Sequence, residues 1–430
     1  MRYLMDLIYV LAAAGYCPML LYKRLRYKRY RTGWDNRFGR INRKYPEKKC
    51  IWIHAVSVGE VNAAKTLINQ LKKSCPNYEV LITTTTDTGF AQANKIYGND
   101  LQVGFFPLDF SWIINRAFAQ IKPDLCILME LEVWPNFVSA AAGLNVPVIV
   151  ANGRLSARSF ARYKLIKPVT KSIFEKVSLV LAQSEDYAKR FKELGCTDEK
   201  IIVTGSLKYD TAQITDKVDG ADELARRLNL AGQRLWVVGG TGNDEEKIVI
   251  DVYKKLLEDD RFKDLRLAIV PRKPERFDEV AALIKENGFE TTRYSQIKTN
   301  SEQTVANNQS VILGDTMGDL RKFYSIAAII FVGRSLVPMG GSDMMEAAAL
   351  GKCTIFGPYA FNFEQTVNAL FSGDGAIMVK NSDELLQTMQ KCLSDSKFTG
   401  TIARNGQKII KDNQGATQKT TQKIIELLAE

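Results

Sequence analysis

The sequence predicts an α/β protein with two Rossmann-like halves. Three observations carry that expectation. From Cys50 onward, short β-branched runs alternate with amphipathic stretches such as "GEVNAAKTLINQLKKS", the rhythm of a parallel sheet covered by helices on both faces. Over residues 205–233 the rhythm breaks, and the segment is polar, lacks a strand signal and reads as a linker plus a helix. The alternation then restarts. With 430 residues, 46% of them hydrophobic, the chain can bury two cores.

In the first half the expected strands are "CIWIHAV", "YEVLITTTT", "LCILME", "VPVIVAN", "LVLAQS" and "IIVTG". In the second they are "LWVVGGT", "LRLAIVP", "VILGDT", "AIIFVG", "CTIFG" and "AIMV". Ligands in open parallel sheets sit at the carboxyl ends of the strands, so two such halves offer a cleft between them. The stretch from Thr401 reads as helix able to cross back to the first half. The expected divisions are residues 1–31, an anchor with a basic flank; 32–208, the first Rossmann-like domain; 209–400, the second; and 401–430, the terminal helix. No internal repeat or low-complexity segment is present.

The seven cysteines (positions 17, 50, 75, 126, 196, 353 and 392) show no CxxC spacing, and there is one histidine, so a Cys/His zinc site finds no support. The odd, scattered set fits reduced, buried thiols. Net charge is +11, yet residues 23–49 alone hold twelve Lys/Arg against two Asp/Glu. The remainder is close to neutral, which argues against a nucleic-acid partner except through a basic arm. Ahead of this run, "YLMDLIYVLAAAGYCPMLLY", Tyr3 to Tyr22, is almost wholly apolar and long enough to span or lie in a bilayer. Its charges follow the apolar stretch, unlike a cleaved signal peptide. An anionic leaflet attracts such a flank by about 1 kcal/mol per basic side chain. Asp6 and Pro18 interrupt a clean span, and an ordinary buried helix with a solvated basic face is the alternative.

Several motifs fall at strand ends. "HAVSVGE", His54 to Glu60, leads from a strand into a helix, with Gly59 permitting a tight turn and free N–H groups able to hold an anion. Glu60 in the first helical turn suits the positive dipole end, and His54 reads more readily as structural than catalytic. "MELEVWPNF" places Glu130 and Glu132 two apart, on one face if extended. Arg154, Arg158 and Arg162 in "NGRLSARSFARY" form an i, i+4, i+8 row if helical, for an anion or as a solvated basic face. "GGTGNDEE" is a Gly-rich turn without the GK[ST] of a P-loop. "PRKPERF" brings Arg272, Lys273 and Arg276 to a strand end. "GDTMGDL" holds Asp315, Met317 and Asp319. "GRSLVPMGGSDMMEAAALG" has a Gly-Gly turn and then Glu346 in the first turn of a helix.

In their order, "HAVSVGE", "MELEVWPN", "NGRLSARS", "TGSLKYD", "PRKPERF", "GDTMGDL", "VGRSLVPMGG" with its later Glu, and "GPYAFNF" resemble the 3-deoxy-D-manno-octulosonic acid (Kdo) transferases of lipopolysaccharide synthesis, over nearly the whole chain. The resemblance implies a GT-B fold of two Rossmann-like domains facing a cleft, with an N-terminal membrane-associated helix. It implies an inverting, metal-free transfer of Kdo from CMP-Kdo to a lipid A precursor (lipid IVA) at the cytoplasmic face of the inner membrane, with no cofactor. Ser57, Gly59, Glu60 and Glu130 would line the acceptor side, with Arg37, Arg40 and Arg154. Arg272, Lys273, Met317, Gly318, Asp319, Gly341 and Glu346 would line the CMP side.

The chain departs from the family pattern at four places. Thr241-Gly242 stands for a Thr-His pair, Lys273 for the His of PRHPER, and Ser342-Asp343 for the His-Asn of GGHN. In "GWDNRFGR", Asn36 stands at the family's catalytic Glu. An amide cannot serve as the base, which leaves Asp35 as the neighbouring carboxylate, either as base or as a turn-capping partner of an arginine; Glu60 is the other cleft carboxylate. The competing functions are a homologue that has lost catalysis and binds lipid or nucleotide-sugar, a transferase of a related CMP-activated acid, and a basic-arm nucleic-acid binder, which the ordered cleft motifs disfavour.

Overall fold

The structure, a computed structural model, describes residues 2–27, 32–215, 217–299 and 310–429. Lys28, Arg29 and Arg31 of the expected basic flank lie outside the described residues. The chain divides into two compact units, Met1–Thr211 with Asn413–Glu430, and Ala212–Asp412.

The first unit holds a parallel seven-stranded sheet: β1 (Lys49–His54), β2 (Tyr78–Thr84), β3 (Gln102–Phe105), β4 (Leu125–Met129), β5 (Val148–Gly153), β6 (Leu179–Ala182) and β7 (Ile201–Val203). Their order is β3-β2-β1-β4-β5-β6-β7. The period-2 alternation of a strand sets both of its faces. In β1, Cys50 and Trp52 enter one core with Phe118 and Phe137, while Ile51 and Ile53 enter the other with Val61, Leu67 and Leu71. Val61, Ala64, Leu67, Ile68 and Leu71 are the buried stripe of the helix Val58–Ser74, spaced three and four apart as an amphipathic helix requires. His54 is fully buried, stacked on Phe106 with ring centroids 3.8 Å apart, its Nδ1 within 3.0 Å of the Thr83 carbonyl. Burial lowers its pKa to about 3, so it is a neutral core residue.

The second unit repeats the plan with β8 (Arg234–Thr241), β9 (Leu265–Pro271), β10 (Thr291–Arg293), β11 (Val311–Leu313), β12 (Ile329–Val332), β13 (Cys353–Phe356) and β14 (Ile377–Met378). Their order is β10-β11-β9-β8-β12-β13-β14, all parallel. Two strands, β3 and β10, were not foreseen from the sequence. Both are short edge strands, and β10 is Thr-Thr-Arg with every residue only half-buried, so hydrophobicity does not mark it.

The unit boundary falls at Thr211/Ala212, close to the expected 208/209. The helix Ser396–Asp412 stays with the second unit, and the helix Ala416–Ala429 packs on Val58–Ser74 in the first. Asp210 anchors the return, accepting from the N–H groups of Gly415 (2.7 Å) and Thr417.

The N-terminal residues form one helix, Arg2–Tyr27, with Pro18 inside it. Among the described residues no helix is long and apolar enough to cross a membrane, which corrects the spanning alternative. Asp6 accounts for part of this. Its carboxylate accepts from Ser111 N–H and Asn136 Nδ2, each at 2.9 Å, and so docks the helix on the first unit. Tyr9 donates to Asp109 (2.9 Å), whose carboxylate also accepts from the N–H groups of Asn136 and Phe137.

Candidate active site

In a doubly wound sheet, the crevice opens where the strand order reverses. In the first unit that point lies between β1 and β4, and the chain places carboxylates at both strand ends. After β1, Glu60 folds back within the first turn of its helix. Its Oε2 accepts from Val56 N–H and its Oε1 from Ser57 Oγ, both at 3.0 Å. Burial raises its pKa to about 7 against those two bonds, with the charges of Glu130 and Glu132 adding to the rise. Gly59 is the second residue of the helix rather than the expected turn, and only Ser57 Oγ, at 3.8 Å, approaches a side chain built there.

Beyond β4, Glu130 adopts φ +56°, a left-handed conformation that costs energy for a residue with a side chain. Its N–H donates to the Ala151 carbonyl (2.9 Å), its own carbonyl accepts from Arg154 N–H (3.3 Å), and its carboxylate lies 3.8 Å from Lys208 Nζ. The pair Glu130 and Glu132 therefore does not share an extended face. Glu132 instead accepts from Trp134 Nε1 (3.1 Å), and burial raises its pKa. Lys208, in "TGSLKYD", was not singled out as a site residue from the sequence; only the fold brings it to Glu130. The arginine row is also broken, because Arg154 precedes the helix Ala157–Leu165, on which Arg158 and Arg162 are exposed.

"GWDNRFGR" forms the short helix Trp34–Arg37 and the turn after it. Asn36 braces this turn: Oδ1 accepts from Phe105 N–H (3.2 Å) and Nδ2 donates to the Arg40 carbonyl (3.0 Å). Arg37 is buried, its guanidinium 4.3 Å from the Phe105 ring centroid and bonded to the Thr85 carbonyl at 3.0 Å. It holds the loop and is not presented to a ligand. Asp35 is exposed (82%) and 3.6 Å from Arg40, also exposed (65%).

In the second unit the order reverses between β8 and β12. β8 ends in Gly239-Gly240-Thr241, where its register against β9 shifts, with Gly240 at φ +69° and its carbonyl bonded by Ser342 Oγ (2.9 Å). Glu245 and Glu246 of "GGTGNDEE" are structural. Glu245 is buried and accepts from three N–H groups in the loop after β12, those of Arg334, Ser335 and Leu336, at 2.5, 2.9 and 3.0 Å. Glu246 pairs in the core with both terminal nitrogens of Arg276, at 2.5 and 3.2 Å, so Arg276 is not available to an external anion. Arg272 and Lys273 remain exposed at the end of β9, with Arg272 N–H tied to the Thr241 carbonyl (3.2 Å).

Met317 is exposed beside Gly318, which has φ +91° and open space around it. Asp319 is different. Its carboxylate is occupied by Lys298 (2.6 Å), Thr316 (2.7 Å) and Lys322 (2.9 Å), and those partners, against burial, hold its pKa near 2. It orders the loop rather than offering a free carboxylate. Gly341, at φ +82°, lies where an added Cβ would come within 2.9 Å of Ala360 Cα. Glu346 is half-exposed, 3.9 Å from Arg321 Nε, and burial together with Asp343 raises its pKa. Asp343 spends an oxygen on Met345 N–H (2.9 Å). Among the described residues no group of three or more His, Cys, Asp or Glu is placed to hold a metal.

Two parallel seven-stranded Rossmann-type units give the chain a GT-B-like fold. Solved structures agree at the level of fold: a glycosyltransferase from Rickettsia africae (TM-score 0.57, 14% identity, 89% of this chain and 99% of that one) and the S. aureus MnaA–UDP structure (TM-score 0.55, 13% identity, 89% and 97%). Residues 32–211 match the family model for 3-deoxy-D-manno-octulosonic-acid transferase (kdotransferase). The 3-deoxy-D-manno-octulosonic acid transferase of Haemophilus influenzae is 36% identical over 91% of this chain and 90% of its own, and that of Bordetella pertussis is 29% identical over 96% and 97%. The chain belongs to the Kdo transferase family of glycosyltransferases.

Proposed function

We propose that this protein transfers Kdo from CMP-Kdo to a lipid A precursor such as lipid IVA, with inversion, and that Glu60 takes the proton from the acceptor hydroxyl. The observation that carries this reading is the Glu60 carboxyl itself: half-buried at the switch point of the first sheet, with a pKa near 7, beside Glu130. A base poised near the working pH is ionised often enough to act and still basic enough to accept a proton. The acceptor oxygen attacks the anomeric carbon of Kdo as the bond to the CMP phosphate breaks, and the proton stays on Glu60. Arg272 and Lys273, exposed at the end of β9, would neutralise the departing phosphate.

Asp35 is disfavoured because its carboxylate is solvated and paired with Arg40. The N-terminal helix supports attachment to a membrane surface. It leaves Leu7, Ile8, Val10, Leu11 and Tyr16 exposed, and near it Trp34, Phe38 and Trp112 form an exposed aromatic ledge flanked by Arg116. Such a surface would bring the enzyme to the cytoplasmic leaflet, where a lipid acceptor lies.

The test is incubation of the full-length protein with CMP-Kdo and lipid IVA, with mass analysis of the lipid. Kdo addition by the wild type and a loss of about 10²-fold or more in Glu60→Gln, with CMP binding retained, is the expected result. The second reading, a binding protein without catalysis, is favoured by the amide at Asn36. It would be established by CMP-Kdo binding without transfer.

A further inference from the structure

The transfer chemistry does not use the basic row of "NGRLSARSFARY". From Val133 to Phe174 the chain contains no Asp or Glu, yet it carries Arg154, Arg158, Arg162, Lys164, Lys167 and Lys171. All but Arg154 are exposed. Lys164 pairs with Glu193 (3.2 Å) and Lys171 lies 3.7 Å from Glu175. Arg158, Arg162 and Lys167 have no ion pair among the described residues.

A solvated face would account for these charges, but not for the apolar tip they surround. The helix Ala157–Leu165 has no buried residue and turns at Ile166 into the helix Lys167–Phe174. At that corner Leu165 is 84% exposed and Ile166 52%, with Lys164 before them and Lys167 after. Single apolar side chains in water are common, but two adjacent large aliphatics at a cationic corner call for a cover. The cover must be apolar in depth and anionic at its surface. Lysine stems can lie along such a boundary while their ammonium heads stay in the polar layer. A bilayer leaflet with anionic headgroups has both properties.

The corner is continuous with the N-terminal helix. Arg2–Tyr27 packs on the helix Pro135–Gly143, that helix packs on Lys167–Phe174, and the latter packs on Ala157–Leu165. Tyr163 is close enough to Tyr9 for its charge to act there. The chain enters this element directly from the candidate site: Arg154 N–H donates to the Glu130 carbonyl (3.3 Å), and Ser156 Oγ caps the helix by accepting from Ser159 N–H (3.2 Å).

We infer that the Leu165–Ile166 corner, with Arg158, Arg162 and Lys167 around it, is a second membrane contact of the first unit, whose aliphatic side chains enter the acyl boundary while its cations meet anionic headgroups. The inference rests on the membrane-surface reading above and adds a contact outside residues 2–27. A single weak anchor binds reversibly, and a second on the same unit strengthens attachment without tighter contacts at the first. It also restricts tilt, and so holds the Glu130 end of the first sheet near the lipid surface.

The experiment is hydrogen exchange and vesicle sedimentation of the full chain, with vesicles of phosphatidylcholine alone and of phosphatidylcholine with phosphatidylglycerol. Amides of residues 157–171 should exchange more slowly on the anionic vesicles than on neutral ones or in buffer. The double variant Arg158→Gln, Arg162→Gln should bind anionic vesicles roughly 25-fold more weakly at low salt, about fivefold per cation, and this difference should shrink as salt is added. Leu165→Asp with Ile166→Asp should weaken binding by about tenfold or more. These side chains are exposed, so the melting temperature should not change in either variant. Protection of residues 2–27 with residues 157–171 unchanged overturns this inference and leaves the membrane reading standing. Failure to sediment with either vesicle overturns both. Slower exchange of residues 157–171 at high protein concentration without vesicles assigns the corner to a second copy of the chain and overturns the lipid assignment.

Discussion

Asp35 and Glu60 are both carboxylates near the start of the first domain, and their environments separate them. Asp35 stands in water beside Arg40, and an exposed ion pair of this kind contributes about 0–1 kcal/mol. Asp35→Asn should therefore leave both the melting temperature and kcat nearly unchanged, and a fall in kcat of about 10²-fold would return the base to Asp35. Glu60 is partly withdrawn from water, and its folded pKa is raised from 4.5 to about 7. Only its ionised form accepts a proton. The pH profile of kcat/KM should thus climb as pH rises through about 7 and level off above it, and Glu60→Gln should abolish that limb. Asn36 braces its loop. The amide uses its donor and its acceptor together, on the Arg40 carbonyl and Phe105 N–H, which a carboxylate cannot reproduce.

Between elements, buried acids act as fasteners. Glu245 joins the helix Glu245–Leu257 to the loop after β12 through three N–H groups. Glu245→Ala leaves those donors buried and unpaired, and should destabilise the protein by about 3–5 kcal/mol, measured by chemical denaturation. Asp109 fastens the N-terminal helix through Tyr9 and sits near Asp6 and Asn136. Burial raises its pKa from 3.8 to about 7 in the folded protein, outweighing the bonds it accepts. A raised folded value means that its contribution is complete at acid pH and is lost as pH rises through about 7. Protease cleavage within residues 2–27 should consequently be faster at pH 8 than at pH 6, and Asp109→Asn should flatten that difference. Equal cleavage at the two values in the wild type would show that Asp109 does not control docking.

On the scale of the whole molecule, the chain ends in the unit where it began. The helix Ala416–Ala429 covers Val58–Ser74, the helix that carries Glu60, and Asp210 secures its first turn. A chain ending at Asp412 should lose that cover, bare apolar surface on the Glu60 helix and lower the melting temperature of the first unit. Its second unit should keep its CMP affinity, because every residue assigned to the donor lies within Ala212–Asp412. Loss of CMP binding on truncation would show that the donor residues depend on the terminal helix.

The sequence by itself determined the architecture, since strand and helix periods are local properties: twelve of the strands, the break near residue 210 and the helical N-terminus are all legible in hydrophobic patterning. It also marked the strand-end motifs, because glycine, proline and clustered charges are confined to turns by their own stereochemistry. It did not reveal β3 or β10: both are short edge strands, and β10 is Thr-Thr-Arg with every residue only half-buried. It did not distinguish a free charge from a spent one either. Arg37, Arg276 and Asp319 read as site residues or ligand-side groups by position, yet each is engaged with a partner distant in sequence or brought close by the fold. Only the tertiary structure decided that Glu60 is raised in pKa while Asp35 is left in water. Burial and partnership are set by residues far apart in the chain, and they fix the chemistry of an ionisable group more than its identity does.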